Sequence, residues 1–286
     1  MFVLRTGYRA ASGGIMATLA DSALEPSRPG VFTTFVDRWI YVFMATLFVA
    51  VVLIGFVPDS LGKLSAVRLG QRPPFPAILH VHAVLMGSWL LLLLAQTLLM
   101  ATGRRGPHKQ LGMISFALAP ALVIAGFLLI PTMHRQMADA ILHAPASVAA
   151  QLKPIYEFML NIMLVQMRIG ILFAALIGLA LWARTWDAGL HKRLMILGTS
   201  AALPAATDRM LWLPSTLPDS PLTADLWPLA VIAPMFLWDL YRLRKVHRAY
   251  LIYLAALLVL AVPTHLLWGT SAWRAIALGI LGIEGI

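Results

Sequence analysis

The stretch AILHVHAVLMGSWLLLLLAQTLLMAT at residues 77–102 decides the fold class, because it contains no Asp, Glu, Lys or Arg. A membrane-spanning helix needs about 20 mostly apolar residues. Comparable runs occupy residues 39–57, 111–131, 158–182, 194–213 and 249–268. A shorter run, 226–241, contains two prolines, but its aromatic residues suit a membrane interface. We therefore predict an all-α, polytopic membrane helical bundle of about seven transmembrane helices.

The composition agrees with a membrane protein. Sixty per cent of the residues are apolar and 12% are charged, whereas a soluble domain is roughly half apolar and a quarter charged. The chain has no cysteine, which excludes disulfides, thiolate metal sites, iron–sulfur clusters and covalent haem attachment through cysteine. His, Met and carboxylate side chains remain as metal ligands.

The basic residues lie in alternate predicted loops, which gives the bundle an orientation. These loops join spans two and three, four and five, and six and seven, and their bases are Arg104, Arg105, Lys109, Arg184, Lys192, Arg193, Arg242, Arg244, Lys245 and Arg248. Because cytoplasmic loops are enriched in Lys and Arg, we expect these loops to face the cytoplasm and anionic lipids. The net charge of +10 is then a topology signal, and no nucleic-acid partner is expected.

This orientation places the N-terminus in the cytoplasm and the C-terminus outside. Residues 1–36 lack the apolar core of a signal peptide and are predicted to be a disordered cytoplasmic leader. Met16 is an alternative to Met1 as the start residue. Residues 37–269 are predicted to form a single transmembrane bundle, and residues 270–286 a short external tail.

An internal repeat connects two pairs of spans. Residues 102–111 align with residues 185–194 at a constant offset, with Thr, Gly, His, Lys and Leu in common. Each copy ends one apolar span and opens the next. We therefore predict a pseudo-repeated hairpin pair, formed by spans 2–3 and spans 4–5.

Several histidines lie at similar depth on the predicted outer side, and ionisable residues within spans are functional candidates. The predicted metal ligands are His80, His82, His134, His265 and Asp208. His80 and His82 cannot point at one centre unless the helix start unwinds, and His82 is favoured because Met86 and Trp89 follow on its stripe. Bis-histidine haem requires two helices at one depth, which His82 with His265 or His134 satisfies.

Two other groups are candidates for binding anions. Arg168 lies near the middle of span four, where it either forms a salt bridge with Asp208 or binds an anionic group; in a redox protein it could meet a haem propionate or a quinone. His108 and Lys109, with His191 and Lys192, stand at the starts of spans three and five. They either bind a phosphate, propionate or lipid headgroup or anchor the chain at the interface. Asp239 is expected to pair with a cytoplasmic Arg.

The sequence resembles an uncharacterised family of bacterial multi-pass inner-membrane proteins. The resemblance rests on the HxH of His80 and His82, the GxxxxHxxLG motif from Gly103 to Gly112, and HKRLM from His191 to Met195. It implies a bacterial inner-membrane location and the helical fold, and it supplies no activity. The HxH followed by Gly87 is also similar to haem–copper membrane proteins of nitric-oxide metabolism.

Three functions remain open at this stage. The first is a redox protein that binds haem b, copper or iron through the outer histidines, with a quinone or redox protein as partner. The second is a transporter or proton-coupled permease for a small, anionic or other solute, with Arg168, Asp208 and the outer histidines on its pathway. The third is a non-catalytic membrane assembly subunit. The sequence does not decide whether the protein is an enzyme, nor its oligomeric state.

Overall fold

The structure is a computed structural model, and it describes residues 31–284. The chain divides into two compact units, residues 1–38 and 39–286. Both alternative start residues and nearly all of the predicted leader, residues 1–36, lie outside the described residues. The bundle is built by the second unit.

All regular secondary structure in residues 31–284 is helical, which confirms the all-α, polytopic membrane bundle. The helices are α1 (Val31–Arg68), α2 (Ala77–Ala101), α3 (Arg105–Gly112), α4 (Ser115–His143), α5 (Ala146–Ala183), α6 (Ala188–Ser200), α7 (Pro204–Thr207), α8 (Leu222–Leu243), α9 (Arg248–Leu267) and α10 (Ser271–Leu281). Six segments are long and apolar enough to cross a membrane: α1, α2, α3–α4, α5, α8 and α9. The short run at residues 226–241 is one of them, because α8 begins four residues earlier, at Leu222.

The fifth predicted span, residues 194–213, is not one continuous helix. α6 ends at Ser200, the backbone N–H groups of residues 201–203 bond to carbonyls three residues back, and α7 covers only Pro204–Thr207. Pro204 explains the break, because proline lacks an N–H and its ring clashes with the carbonyl four residues earlier. The chain therefore tightens into a 3₁₀ turn. The prediction of a regular fifth helix is corrected to a broken segment, α6–α7.

The broken segment runs antiparallel to α5 over its whole length. The facing pairs are, from one end to the other, His191 with Ala180, Gly198 with Ile177, and Asp208 with Arg168. A Cβ atom added at Gly198 would lie 2.8 Å from Ile177 Cδ1. The glycine therefore permits the close contact between the two segments.

The predicted pseudo-repeated hairpins are present. Both repeat copies form the turn and first helical residues that follow a long helix: residues 102–111 lie between α2 and α4, and residues 185–194 between α5 and α6. In each copy the histidine reaches back to the end of the preceding helix. His191 Nδ1 lies 2.8 Å from the Ala180 carbonyl oxygen, and His108 interacts with the backbone of Gln96.

The second copy adds a helix cap at Asp187. The Leu190 backbone N–H donates to Asp187 Oδ1 at 2.9 Å, and this bond, followed by the contact with Arg248, holds the pKa of the carboxyl below its usual value. The cap begins α6 directly after the turn.

The predicted external tail, residues 270–286, includes a helix that packs on the bundle. Trp273 of α10 is buried, and its Nε1 donates to the Leu160 carbonyl at 2.7 Å. Arg274 forms a 2.8 Å ion pair with Glu157. This end of the chain is therefore attached to α5.

A glycine on α1 sets how closely that helix approaches α7. A Cβ atom at Gly55 would lie 2.3 Å from the Ala206 carbonyl oxygen, whereas Gly62 on the same helix has open space around it. We expect Gly55→Ala to lower the free energy of unfolding by about 1–3 kcal/mol, the usual cost of overpacking. Gly62→Ala, the matched control, is expected to be neutral or to stabilise by about 0.5–1 kcal/mol. Thermal unfolding of the purified protein in detergent measures both, and equal effects would contradict the packing.

Candidate functional site

The charged residue in the middle of the bundle has a counter-ion that the sequence did not predict. Arg168 on α5 is 4% exposed, and its Nη1 lies 2.6 Å from Asp225 Oδ1 on α8. The predicted salt bridge to Asp208 is wrong, because Asp208 interacts with Arg168 only through its longer-range charge. An unpaired guanidinium at this depth would cost several kcal/mol, so the Arg168–Asp225 pair ties α5 to α8.

Asp225 also joins a third helix to this pair. Its Oδ2 lies 2.8 Å from His265 Nε2 on α9. Arg168, Asp225 and His265 form what we call the Asp225 network. One buried carboxylate therefore connects α5, α8 and α9, and the histidine offers a proton-exchanging partner at its edge.

A small cavity adjoins the Asp225 network. Its volume is about 10 Å³, and its lining includes Arg168, Asp225, Tyr253, Ala201 and Pro204. That volume accommodates about one water molecule. The break in α6–α7 therefore opens onto the charged groups. Such irregular backbone is tolerated within a membrane where it is buried in protein or lines a cavity.

A larger cavity, the Asp208 crevice, lies beside the C-terminal end of α7. It has a volume of about 540 Å³, and its wall includes Asp208, Phe158, Thr223 and Trp227. The loop between α7 and α8 is held in place by hydrogen bonds, among them Trp227 Nε1 to the Pro214 carbonyl at 3.1 Å. The crevice is thus a formed pocket of the size that small-molecule sites usually have.

The crevice and the small cavity at the Asp225 network are lined by neighbouring residues of α8 and are linked electrostatically. Thr223 lines the crevice, and the next two residues, Ala224 and Asp225, line the small cavity. Asp208 acts electrostatically on Arg168, so one buried guanidinium faces two carboxylates. The neighbouring Arg209 also acts electrostatically on Asp208, and it forms a 3.1 Å ion pair with Asp59, which in turn binds Lys63 at 2.7 Å. Among the residues that line the two cavities, the acids are Asp208 and Asp225 and the base is Arg168, so the linings carry one surplus negative charge when both carboxylates are ionised.

At the other end of α6 the polar groups are closed off by a second buried pair. Arg193 binds Asp239 through two contacts, Nε to Oδ2 at 2.7 Å and Nη2 to Oδ1 at 2.6 Å. The Tyr250 hydroxyl donates to Asp239 Oδ2 at 2.5 Å. Asp239 thus pairs with an Arg of the predicted cytoplasmic side, as expected. Arg193 itself was assigned to a loop, yet it is buried.

Between the two ends, hydroxyl groups complete a polar column. Ser200, the last residue of α6, donates to the Leu197 carbonyl at 2.7 Å, and its Oγ lies 3.5 Å from the Tyr253 hydroxyl. Tyr253 lines the cavity at Arg168. Tyr253 lies one helical turn from Tyr250, which is bonded to Asp239. We use the name polar column for Asp208, the Asp225 network, Tyr253, Ser200 and the Arg193–Asp239 pair.

The four predicted outer histidines have separate surroundings. His80 is exposed and touches the Phe75 ring, whereas His82 faces Gly126 of α4. α2 is helical from Ala77 onward, so no unwinding brings the two rings together. His134 is 2% exposed and contacts the Tyr156 ring, and His265 is bound to Asp225.

The predicted metal site, His80, His82, His134, His265 and Asp208, therefore has no counterpart here. Among the described residues no group of three or more His, Asp or Glu side chains could hold a metal ion. Neither of the two cavities is lined by a histidine. Haem b, copper, iron and a quinone partner stay predictions from the sequence.

The residues predicted to bind anions are only partly brought together. His108 and His191 are close enough to interact electrostatically, at the junction of the two repeated hairpins. Lys192 instead stacks over the Tyr41 ring at 4.8 Å, and Lys109 is exposed. An anion site formed by these four residues remains a prediction.

Asp225, Tyr253 and Ser200 are the residues of this site that sequence reasoning missed. The predicted sixth span begins at residue 226, which leaves Asp225 in the preceding loop. A signal was available: Arg168 requires a counter-ion, and Asp225 is an acid directly preceding a span, with no basic residue in its loop. Tyr253 and Ser200 carry no comparable signal, since hydroxyl groups are common in membrane helices.

The Arg168–Asp225 pair predicts a specific pattern of stability. Asp225→Asn leaves the guanidinium unpaired, and we expect it to lower the free energy of unfolding by about 3–5 kcal/mol. Asp219→Asn, an exposed acid of the preceding loop, is expected to change it by less than about 0.5 kcal/mol. The double variant Arg168→Gln/Asp225→Asn should recover much of the loss, and a double-mutant cycle in detergent measures the coupling. Additive effects would contradict the pairing.

Comparison of the chain with family models, with curated proteins and with solved structures finds no significant match.

Proposed function

We propose that the protein is a membrane transporter that moves a small solute across the bilayer in exchange with a proton. The observation that carries this proposal is the charge of the two cavity linings: they hold Asp208, Asp225 and Arg168, and Arg168 pairs with Asp225, which leaves Asp208 without an ion pair. The Asp208 crevice supplies the solute site, and the polar column supplies the path.

The surplus charge gives a physical reason for coupling. Desolvation makes the ionised form of the half-buried Asp208 carboxylate costly, and the charges of Arg209 and Arg168 offset part of that cost. A proton or a cationic solute at Asp208 would remove the remainder. When one leaves and the other enters, their movements are linked, which is the basis of coupled exchange.

The polar column is open at one end and closed at the other, as in a carrier whose site is accessible from one side of the membrane. The crevice opens beside α7, whereas Arg193, Asp239 and Tyr250 close the opposite end of the column. The broken segment α6–α7 lies between the two ends. Discontinuous helices beside midplane charges occur in secondary transporters, where they line the substrate and ion sites.

Seven crossings are part of this proposal, with α6–α7 as the fifth. The contacts between the ends of different helices fall into two sets, one on each side of the bundle, and this division supports seven crossings. One end joins Arg209 to Asp59, Gln136 to the Pro74 carbonyl and Arg135 to the Leu281 carbonyl. The other joins Asp187 to Arg248 and Arg193 to Asp239. In this proposal the basic loops lie on the cytoplasmic side of a bacterial inner membrane. The N-terminus is then cytoplasmic, and the crevice opens to the external side.

The absence of native cysteine permits a direct test of the fifth crossing. Trp186 and Ser215 flank α6–α7 and are exposed. In intact spheroplasts, a membrane-impermeant maleimide should label Ser215→Cys and leave Trp186→Cys unlabelled until the membrane is permeabilised. Labelling of both from the same side would mean that the segment does not cross.

Alternating access predicts labelling of the column from both sides. Ala201 is a buried residue that lines the cavity at Arg168, and Ala138 is a buried residue of the apolar core. A small, charged thiol reagent should modify Ala201→Cys in right-side-out and in inside-out vesicles, because the column opens to each side in turn. The matched control, Ala138→Cys, should not react from either side.

The Arg193–Asp239 pair permits a second experiment. In an Ala201→Cys background, Asp239→Asn weakens the contact with Arg193 and should raise the rate of cytoplasmic labelling about tenfold or more, the factor that corresponds to 1.4 kcal/mol. Labelling of Ala201→Cys from the outer side alone, unchanged by Asp239→Asn, would contradict transport and leave a static binding protein.

A further inference from the structure

We propose that the Asp208 crevice recognises a small organic cation that has an aromatic or aliphatic body. This inference rests on the proposed function and names the class of solute for the same site. It departs from the anionic solute that the mid-membrane Arg168 made plausible from sequence alone, because Arg168 is neutralised by Asp225.

The charge of the crevice is carried by one side chain. Asp208 is the single ionisable residue in its lining. Among the described residues, no hydrogen bond or ion pair engages the Asp208 carboxylate, since Arg168 pairs with Asp225 and Arg209 with Asp59. A half-buried carboxylate with no local partner favours a positively charged ligand and disfavours an anion.

The walls suit an apolar body with a positive head. Phe158 of α5 and Trp227 of α8 line the crevice, and both ring types attract cations through their faces. The hydroxyl groups of Thr207 and Thr223 are hydrogen-bonded within the protein, and most remaining lining residues are aliphatic or proline. At about 540 Å³ the space exceeds the need of a bare metal ion and fits an organic molecule.

Cation binding also completes the exchange chemically. The Asp208 carboxylate holds either a proton or the cationic head of a solute, and it cannot neutralise both at once. Entry of one monovalent cation therefore releases one proton, and no charge is gained or lost by the compartment. No covalent bond other than the O–H bond of the carboxyl group breaks or forms.

Three probes of similar shape and different charge test whether the crevice selects for charge. Benzyltrimethylammonium is a cation, neopentylbenzene carries carbon in place of its nitrogen, and phenylmethanesulfonate carries an anionic tetrahedral head. Isothermal titration calorimetry of the full chain in detergent should give binding of the cation at least about tenfold tighter than of the neutral probe, as expected for a charge-assisted contact. The anion should not bind.

Variants at Asp208 assign the preference to the carboxylate. Asp208→Asn should weaken cation binding about tenfold or more while leaving the neutral probe unchanged. Asp208→Glu, which keeps the charge, and Asp219→Asn, which removes a charge outside the lining, should retain the preference. Thermal melting of each variant confirms that it is folded. For a given probe, partitioning into detergent micelles is the same whichever variant is present.

The outcomes separate this inference from transport itself. Equal binding of the cation and the neutral probe, or a preference that survives in Asp208→Asn, overturns the cation site. Binding of no probe to the wild-type protein overturns it as well. A cation preference together with one-sided labelling of Ala201→Cys would leave the site standing and remove the transport proposal. Two-sided labelling without a cation preference would do the reverse.

Discussion

The Arg168–Asp225 ion pair is the constraint on which the rest of the bundle depends. A guanidinium in the middle of a transmembrane helix must find a counter-ion within the protein, because the bilayer offers none. Asp225 meets that need only if α8 begins early enough to lower its first turn into the bundle, and only if α8 lies against α5. His265 then fixes α9 against the same carboxylate. One buried acid thus sets the arrangement of three helices.

The break at Pro204 turns this static pairing into a site. An unbroken fifth helix would bury its backbone against α5, whereas the turn at residues 201–203 opens a cavity beside Arg168. The same break ends α7 at Thr207 and places Asp208 where it faces both the crevice and the guanidinium. The two cavity linings thus hold two carboxylates and one fixed cation. The proposed exchange rests on that imbalance and on the closure of the polar column at Arg193 and Asp239.

Hydropathy and loop charge were sufficient for the helical fold, since six of the seven predicted spans fall in helical segments that are long and apolar enough to cross a membrane, and the repeated hairpins are present. The fifth span is apolar throughout, but hydropathy averaged along the sequence does not detect the backbone hydrogen bond that Pro204 removes. The break in this span was therefore not predicted. The histidine convergence failed for another reason: depth along a helix says nothing of its direction around the axis. His80 and His134 therefore have similar depth and unrelated surroundings. Arg168 could be identified from the sequence because a charged residue within a span has a high free-energy cost. Asp225 was not identified, because the predicted sixth span begins four residues after the observed start of α8.

Proton movement driven by a solute that carries no proton tests the central claim most directly. Proteoliposomes containing a trapped pH-sensitive dye, with the membrane potential clamped, would receive an inward gradient of benzyltrimethylammonium. If the surplus carboxylate couples the two ions, the lumen becomes alkaline as protons leave, at a rate that depends on the protein and is lost in Asp208→Asn. An unchanged internal pH with the wild-type protein, or an equal rise with Asp208→Asn, would contradict proton-coupled exchange at this site.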